Sequence, residues 1–446
     1  MADSRQHIAG VEDSELSIVR FEGPDDLHNP RNWPTSRKLL YTILCGLTTM
    51  GATWSSAIYS TAVKEVALEF RVERDVANLG TSLFLMGFGV GPLLWSPLMA
   101  RFLAGFFGSS PISVTGGILA DLFEAQYRGP ALVTYAAAVV GGPVFAPIAG
   151  SAMMQSGLNW RWTQYVTAIY MAVVLTLDGL FLHETFSSTI LIEKARKRRF
   201  ETNDWALHSK HEERCPDVKE MADKFLKKPF QLLATPICFA FVLHSSFVYA
   251  IVYINLGLFP IMFHDVRGWS QVVSSLPFLA LMVGITFGGV FNLQAQKFYL
   301  GKLAANGGRA VPESRLLPMM AGSVLLTAGL FIMGNTSSTH YPWIAPAIAA
   351  VMMGFSFFTI FQSALSYLVD TFPQHAASAV AANTFLRSML ASIFPPIVSR
   401  IYSRVGVVWA TNMLGFVALS MVPIPWIFYY FGKAIREKGT WSRASC

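Results

Sequence analysis

The sequence predicts an all-α polytopic membrane protein made of two helical bundles, with about eleven transmembrane helices. Three observations predict it. Hydrophobic residues make up 53% of the 446 and charged residues only 14%, about half the charged share of a soluble domain. The apolar residues run in long stretches that reach the roughly 20 residues needed to cross a bilayer. The charges collect in tails and in the loops between those stretches. Such a composition excludes disordered, collagen-like and disulfide-scaffold classes and argues against a cytosolic enzyme. The net charge of +7 follows membrane topology and not a nucleic-acid surface, because cytoplasmic loops gather Lys and Arg.

Residues 1–38 are polar and carry no apolar core behind their first charges, so they read as a cytoplasmic tail and not as a cleaved signal. Reading between charges places spans at 39–63, 79–100, 102–120, 131–154 and 163–182, which form an incomplete N-terminal helix bundle, 39–182. The segment 183–235, with Lys194, Arg196, Lys197, Arg198 and Arg199, is expected to be a solvated cytoplasmic central loop. Six spans follow, at 237–263, 272–293, 316–334, 343–369, 376–399 and 407–431, and form the C-terminal helix bundle, 236–431. The tail 432–446 carries Lys433, Arg436, Lys438 and Arg443, again cytoplasmic. Lys297, Lys302, Arg309 and Arg315 place the loop after the seventh span on the same side. Arg400 and Arg404 fall on the opposite side, against the rule.

Two cytoplasmic ends require an even number of crossings between them. The second half satisfies this with six spans; the first half, with five, does not. From Leu79 to Leu119 the chain carries Arg101 as its only charge. At 1.5 Å per residue that stretch is long enough for roughly two crossings. Yet no polar turn divides it, so either the helices turn sharply at Pro97 or a segment is missing.

Few residues in the spans suggest chemistry. Gly87, Gly89 and Gly91 lie inside an apolar run with no preceding strand, which suits close helix packing better than a dinucleotide loop. His183 and Glu184 begin like a zinc-protease motif, but the second His is absent. No P-loop occurs, the four cysteines show no metal or disulfide spacing, and neither cofactor nor metal is implied. Arg101 and Arg387 stand within apolar runs, where an arginine costs about 2.5 to 3.5 kcal/mol, so each is expected to face a water-filled cavity or a partner. Asp178 sits near a helix end, where snorkelling can satisfy it. In the run from Gly141 to Gly150, Pro143 and Pro147 remove helical hydrogen bonds and are expected to kink the helix. The glycines there admit a neighbouring backbone. Asn335, Thr336 and Ser337 form a glycosylation sequon.

These residues carry a family resemblance. Gly142, Pro143, Pro147 and Gly150 resemble the antiporter motif of the fifth helix in the major facilitator superfamily, with Ala146 and Ser151 replacing two glycines. Arg101 through Gly108 resembles the fourth-helix motif. Further matches are the 29–34 stretch beginning Asn29, Pro30; Asp121 with Arg128 and Gly129; Asn159 through Trp162; His183, Glu184, Thr185; Pro312 through Leu316; Tyr367 through Asp370; and Ser378 through Asn383 to Arg387. Together they resemble the fungal twelve-span drug:proton antiporter branch over almost the whole chain. The departure falls where parity failed. After Pro97 the chain passes directly into Arg101, and the family's loop after the second helix and its third helix have no counterpart.

The resemblance implies a major-facilitator-type fold one helix short of twelve, with Asp121 and Arg128 belonging to a cytoplasmic-loop motif. It further implies a monomer in the plasma membrane that exports small amphipathic molecules (drugs, toxins or secondary metabolites) in exchange for protons and is not an enzyme. Arg101 would couple protons, and Gly142, Pro143, Pro147 and Gly150 would form the seal. Tyr59, Tyr253, Asn255, Gln362 and Arg387 would face the substrate. Proton-coupled uptake and a truncated, non-transporting or mis-spliced product are the alternatives.

Overall fold

Hydrocarbon offers no hydrogen bonds to the backbone, so an apolar span satisfies its own amides by coiling into a helix. The computed structural model of the chain describes residues 18, 19, 21, 26, 28–89, 115, 118, 119, 121–123, 128–210, 212, 227–307 and 311–438. Arg101, Trp95, Ser96 and Pro97 lie outside these residues, as does the side chain of Arg128. In the first half, α1 (Thr35–Ile58) leads through a short α2 (Val63–Phe70) to α3 (Arg74–Gly89). Helices α4 (Arg128–Gln155) and α5 (Arg161–Phe181) follow. Seven helices among the described residues are long and apolar enough to span a membrane.

The segment 183–235, expected to be a solvated loop, is partly helical, containing α6 (Ser187–Thr202) and α7 (Lys228–Leu233). Polar ties hold α6. Lys194 pairs with Asp26 at 2.9 Å, and Arg199 bonds the Leu207 carbonyl and pairs with Glu212 at 2.6 Å. Burial alone would raise the Glu212 carboxyl; the Ser209 amide and Arg199 outweigh it and hold it below its ordinary value.

The second half contains α8 (Pro236–Phe259), α9 (Pro277–Ala305), α10 (Leu317–Asn335), α11 (Ile344–Thr371) and α12 (Ala376–Val405). It ends with α13 (Val407–Met421) and α14 (Pro423–Lys438). Helix α8 starts on an N-cap, where the Thr235 hydroxyl accepts from the Cys238 amide and Pro236 occupies the first turn. The single span expected at 407–431 is divided before Pro423 and runs on to Lys438, because proline lacks the amide that would continue the ladder. The opposite holds for α4. Both Pro143 and Pro147 sit inside it, and the helix continues through them.

Helix α8 lies at the centre, buried over almost its whole length. The peripheral α5 and α13 present Ile169, Val173, Leu175, Trp409, Met413 and Phe416 outward, an apolar face that suits lipid. Glycines set the closest approaches. A Cβ on Gly142 would stand 2.2 Å from Thr53 Oγ1 and 2.5 Å from the Trp54 amide nitrogen, so α4 rests on the α1 backbone. A Cβ on Gly284 of α9 would stand 1.9 Å from the Val351 carbonyl oxygen of α11, and one on Gly354 2.0 Å from that of Leu281. Small residues that let backbones touch are the usual means of helix association in lipid. Gly284→Ala must push α9 and α11 apart and is expected to cost about 1 to 3 kcal/mol, read as a lower melting temperature of the detergent-solubilised protein.

Candidate functional site

The site is assembled where α8 meets the first half. On α8, Tyr249 and Tyr253 are one turn apart and project from the same face; their hydroxyls lie 3.2 Å apart. The Tyr253 hydroxyl is also 2.9 Å from the Ser56 hydroxyl of α1, which joins the two halves at their centre. Helix α12 contributes Arg387. Only 3% exposed, its guanidinium carbon stands 4.6 Å from the Tyr249 ring centre and 5.0 Å from that of Phe361 on α11. Phe361 stacks on Phe357, one turn earlier, with centroids 6.0 Å apart and planes 8° apart.

A cavity of about 120 Å³ lies beyond Tyr253, toward the end of the bundle away from the described chain ends, and its wall includes Pro147 and Ser151 of α4. At that end polar contacts close the two halves upon each other. Ser151 and Ser275 hydroxyls lie 2.7 Å apart, and the Gln155 side-chain carbonyl accepts from the Val272 amide at 3.1 Å. Arg400 of α12 pairs with Asp75 of α3 at 2.7 Å, with Glu73 at 3.9 Å, and Lys64 lies 3.8 Å from Asp265. The charge of Arg400, which topology leaves unexplained, thus serves an inter-bundle pair.

At the other end, the Pro312 to Arg315 turn is clamped. Glu313 accepts from Arg436 of α14 at 2.8 Å. Asp370 accepts from the Tyr299 hydroxyl at 2.9 Å and from Arg315 at 3.0 Å, and the Arg315 guanidinium lies 3.4 Å from the Tyr299 ring centre. In the first half, the Thr48 hydroxyl of α1 donates to Asp178 of α5 at 2.5 Å. The second oxygen of Asp178 is buried without a hydrogen-bond partner.

Of the cavity residues proposed from sequence, Tyr253 and Arg387 meet in one cluster. Gln362 is half-buried beside Phe361. Asn255 is buried, with both amide atoms lacking a hydrogen-bond partner. It is two residues from Tyr253, which turns it about 200° round the helix, away from the cluster. Tyr59 donates to the Ala77 carbonyl at 3.2 Å and packs with Val63, Val66 and Ala77, bridging α1 to α3. Gly142 and Gly150 serve the α1–α4 contact, Gly150 against Thr61; Pro143 is buried, and Pro147 reaches the cavity. Asp121 is half-buried in a helical turn. Sequence reasoning missed Ser56, Tyr249, Phe357 and Phe361. The four-residue spacings of Tyr249 to Tyr253 and Phe357 to Phe361 are the signal that marks them as shared helix faces.

An all-helical membrane protein with two bundles, a polar cluster on their shared axis and a cavity beside it has the architecture of a secondary transporter. The chain belongs to the Major Facilitator Superfamily, whose family model matches residues 79–396. It is similar to "Efflux pump bik6" of Gibberella fujikuroi, 41% identical over 96% of this chain and 96% of that one. It is also similar to the "Major facilitator superfamily multidrug transporter FLU1" of Candida albicans, 33% identical over 94% of this chain and 75% of that one. The fold is shared with the proton:xylose symporter XylE at a TM-score of 0.59 and 14% identity, covering 89% of this chain and 97% of that one. The bik6 alignment runs over 465 positions yet uses 96% of 446 residues, about 428, so about 37 positions of that relative have no residue here.

Away from the central cluster, at the end that holds the cavity, Glu69 of α2 accepts from Arg161 and from the Trp160 indole, each at 2.6 Å. The Arg161 hydrogen bond first, and then that of Trp160, holds the Glu69 carboxyl below its ordinary 4.5. A lowered folded-state value stabilises the fold fully above the ordinary value, and the contribution is lost as pH falls through the lowered one. The pair is exposed, so its effect is small. Glu69→Gln is expected to lower the melting temperature by at most a few degrees at pH 7, with the difference from wild type shrinking and then vanishing as the pH falls below the ordinary carboxylate range.

Proposed function

We propose that the chain is an efflux transporter that exports small amphipathic molecules from the cytoplasm across the plasma membrane in exchange for protons. The observation that carries this reading is the 41% identity to an efflux pump over nearly the full length of both chains. The relatives named as transporters of the ascochitine and citrinin biosynthesis clusters support secondary metabolites among the substrates. One chain supplies both halves of the path, which supports a monomer. The basic residues of the tails and central loop support cytoplasmic termini. On that orientation the ties at Ser151, Gln155, Lys64 and Arg400 support a state closed on the outer side, and Gly142, Pro143, Pro147 and Gly150 remain the proposed seal, with Gly142 and Gly150 supplying its close approaches. Arg101 remains the proposed coupling residue. Asp178, a carboxyl within a span and bonded to Thr48, is the proposed proton carrier.

A second reading rests on a specific observation. The gap of about 37 positions has the length of one loop plus one membrane helix, which supports the reading that the family's loop and third helix are lost between Pro97 and Arg101. A chain without the family's third helix would be a non-transporting product. Expression in a pump-deficient yeast, with accumulation of a neutral dye (Nile red) and an anionic one (fluorescein, loaded as its diacetate) as the readout, distinguishes the two. The proposed exporter lowers accumulation, and a protonophore abolishes the effect. A companion chain with the loop and helix of bik6 restored after Pro97 reports on the second reading. Restored activity in the companion alone identifies a truncated product, and inactivity of both overturns export. Asp178→Asn is expected to cut proton-driven export by roughly tenfold with unchanged membrane insertion.

A further inference from the structure

We propose that Arg387 is an anion-binding anchor, and that the preferred substrates are acidic aromatic molecules, carrying a carboxylate or phenolate beside a planar ring. This rests on the efflux reading and specifies its substrate class. A guanidinium in mid-membrane is costly unless its charge is balanced. Among the described residues Arg387 makes no ion pair, its nearest charged-group interactions are with rings, and its Nε is buried without a hydrogen-bond partner. Tyr249 and Phe361 provide cation–π compensation. That compensation comes from ring faces and leaves in-plane N–H donors unused, the donors that grip a carboxylate in bidentate fashion.

The surroundings match the rest of such a molecule. Phe357 and Phe361 form a stacked pair beside the guanidinium, and Tyr249 lies 6.2 Å from Phe357 between ring centres. A planar ring bound there meets aromatic faces. The hydroxyls of Tyr249, Tyr253 and Ser56 are linked to one another, Ser56 donating on to the Thr53 carbonyl, and they bridge the two halves next to the Tyr249 ring. An anion on Arg387 therefore touches the contact that joins the bundles, while Tyr253 also lines the cavity leading toward the opposite end. A cationic drug would meet the like charge of Arg387 in the same place, which disfavours it.

The test compares 2-naphthoate with its neutral analogue 2-naphthamide, binding to the full chain in lipid nanodiscs by calorimetry. The wild type is expected to bind the acid about tenfold or more tightly than the amide, the advantage of a charge-assisted pair. Arg387→Gln is expected to erase that ratio and Arg387→Lys to retain part of it, with cooperative melting of each variant as the check on folding. An acid:amide ratio near one in the wild type, a ratio unchanged in Arg387→Gln, or no binding of either compound by folded protein overturns the proposal. The yeast dye assay separates the two readings. Dye export without acid preference removes the anchor and leaves efflux, whereas acid preference without any export leaves the anchor and removes efflux.

Discussion

Hydrocarbon supplies no hydrogen bonds, and that constraint shapes each level of this protein. It makes the spans helical. It also removes the solvent-driven attraction between helices, so the bundle is held by close backbone approach and by a few polar contacts. The glycine contacts of α4 on α1 and of α9 on α11 supply the first kind. Ser56 with Tyr253, Thr48 with Asp178 and Arg315 with Asp370 supply the second. The first two sit where helices pack together within the bundle, so loss of one partner strands the other in a medium that cannot replace it.

The distribution of those contacts links packing to transport. Within the C-terminal half, Glu313–Arg436 and the Asp370 cluster clamp helix ends to a single turn, which makes that half a rigid body at its terminal end. Between the halves, the contacts are a hydroxyl pair at the centre and exposed ion pairs, serine contacts and a side-chain amide contact at the far end. Exposed pairs are each worth about 0 to 1 kcal/mol. Contacts of that strength suit a surface that opens and closes, whereas the buried glycine contacts suit one that does not. Rocking of one half against the other about a central site is the motion this division permits.

Family, membrane class and the greater part of the helical plan were legible in the sequence because long apolar runs and the positions of charges follow directly from the bilayer. The two prolines of α4 lie inside a helix that continues through them, as a proline-containing helix can when neighbours satisfy the freed groups. The central segment was read as a loop because its charges match solvent; α6 forms because Asp26 and Glu212 give those same charges partners. Asn255 and Tyr59 were grouped with Tyr253 by residue type alone. Helical phase separates the first from the cluster, and depth along the bundle separates the second.

The sequence by itself determined that this is a polytopic helical protein of two halves and that it resembles a transporter branch, and its parity raised the expectation of a first half short by one crossing. Each of these follows from local quantities: run length, charge placement and parity. Only the tertiary structure decided which polar residues share a site. Arg387 looks the same in sequence whether it snorkels, pairs with a carboxylate or packs on rings. The choice depends on Tyr249 and Phe361, residues on two other helices, far away in the chain and brought to it by packing alone.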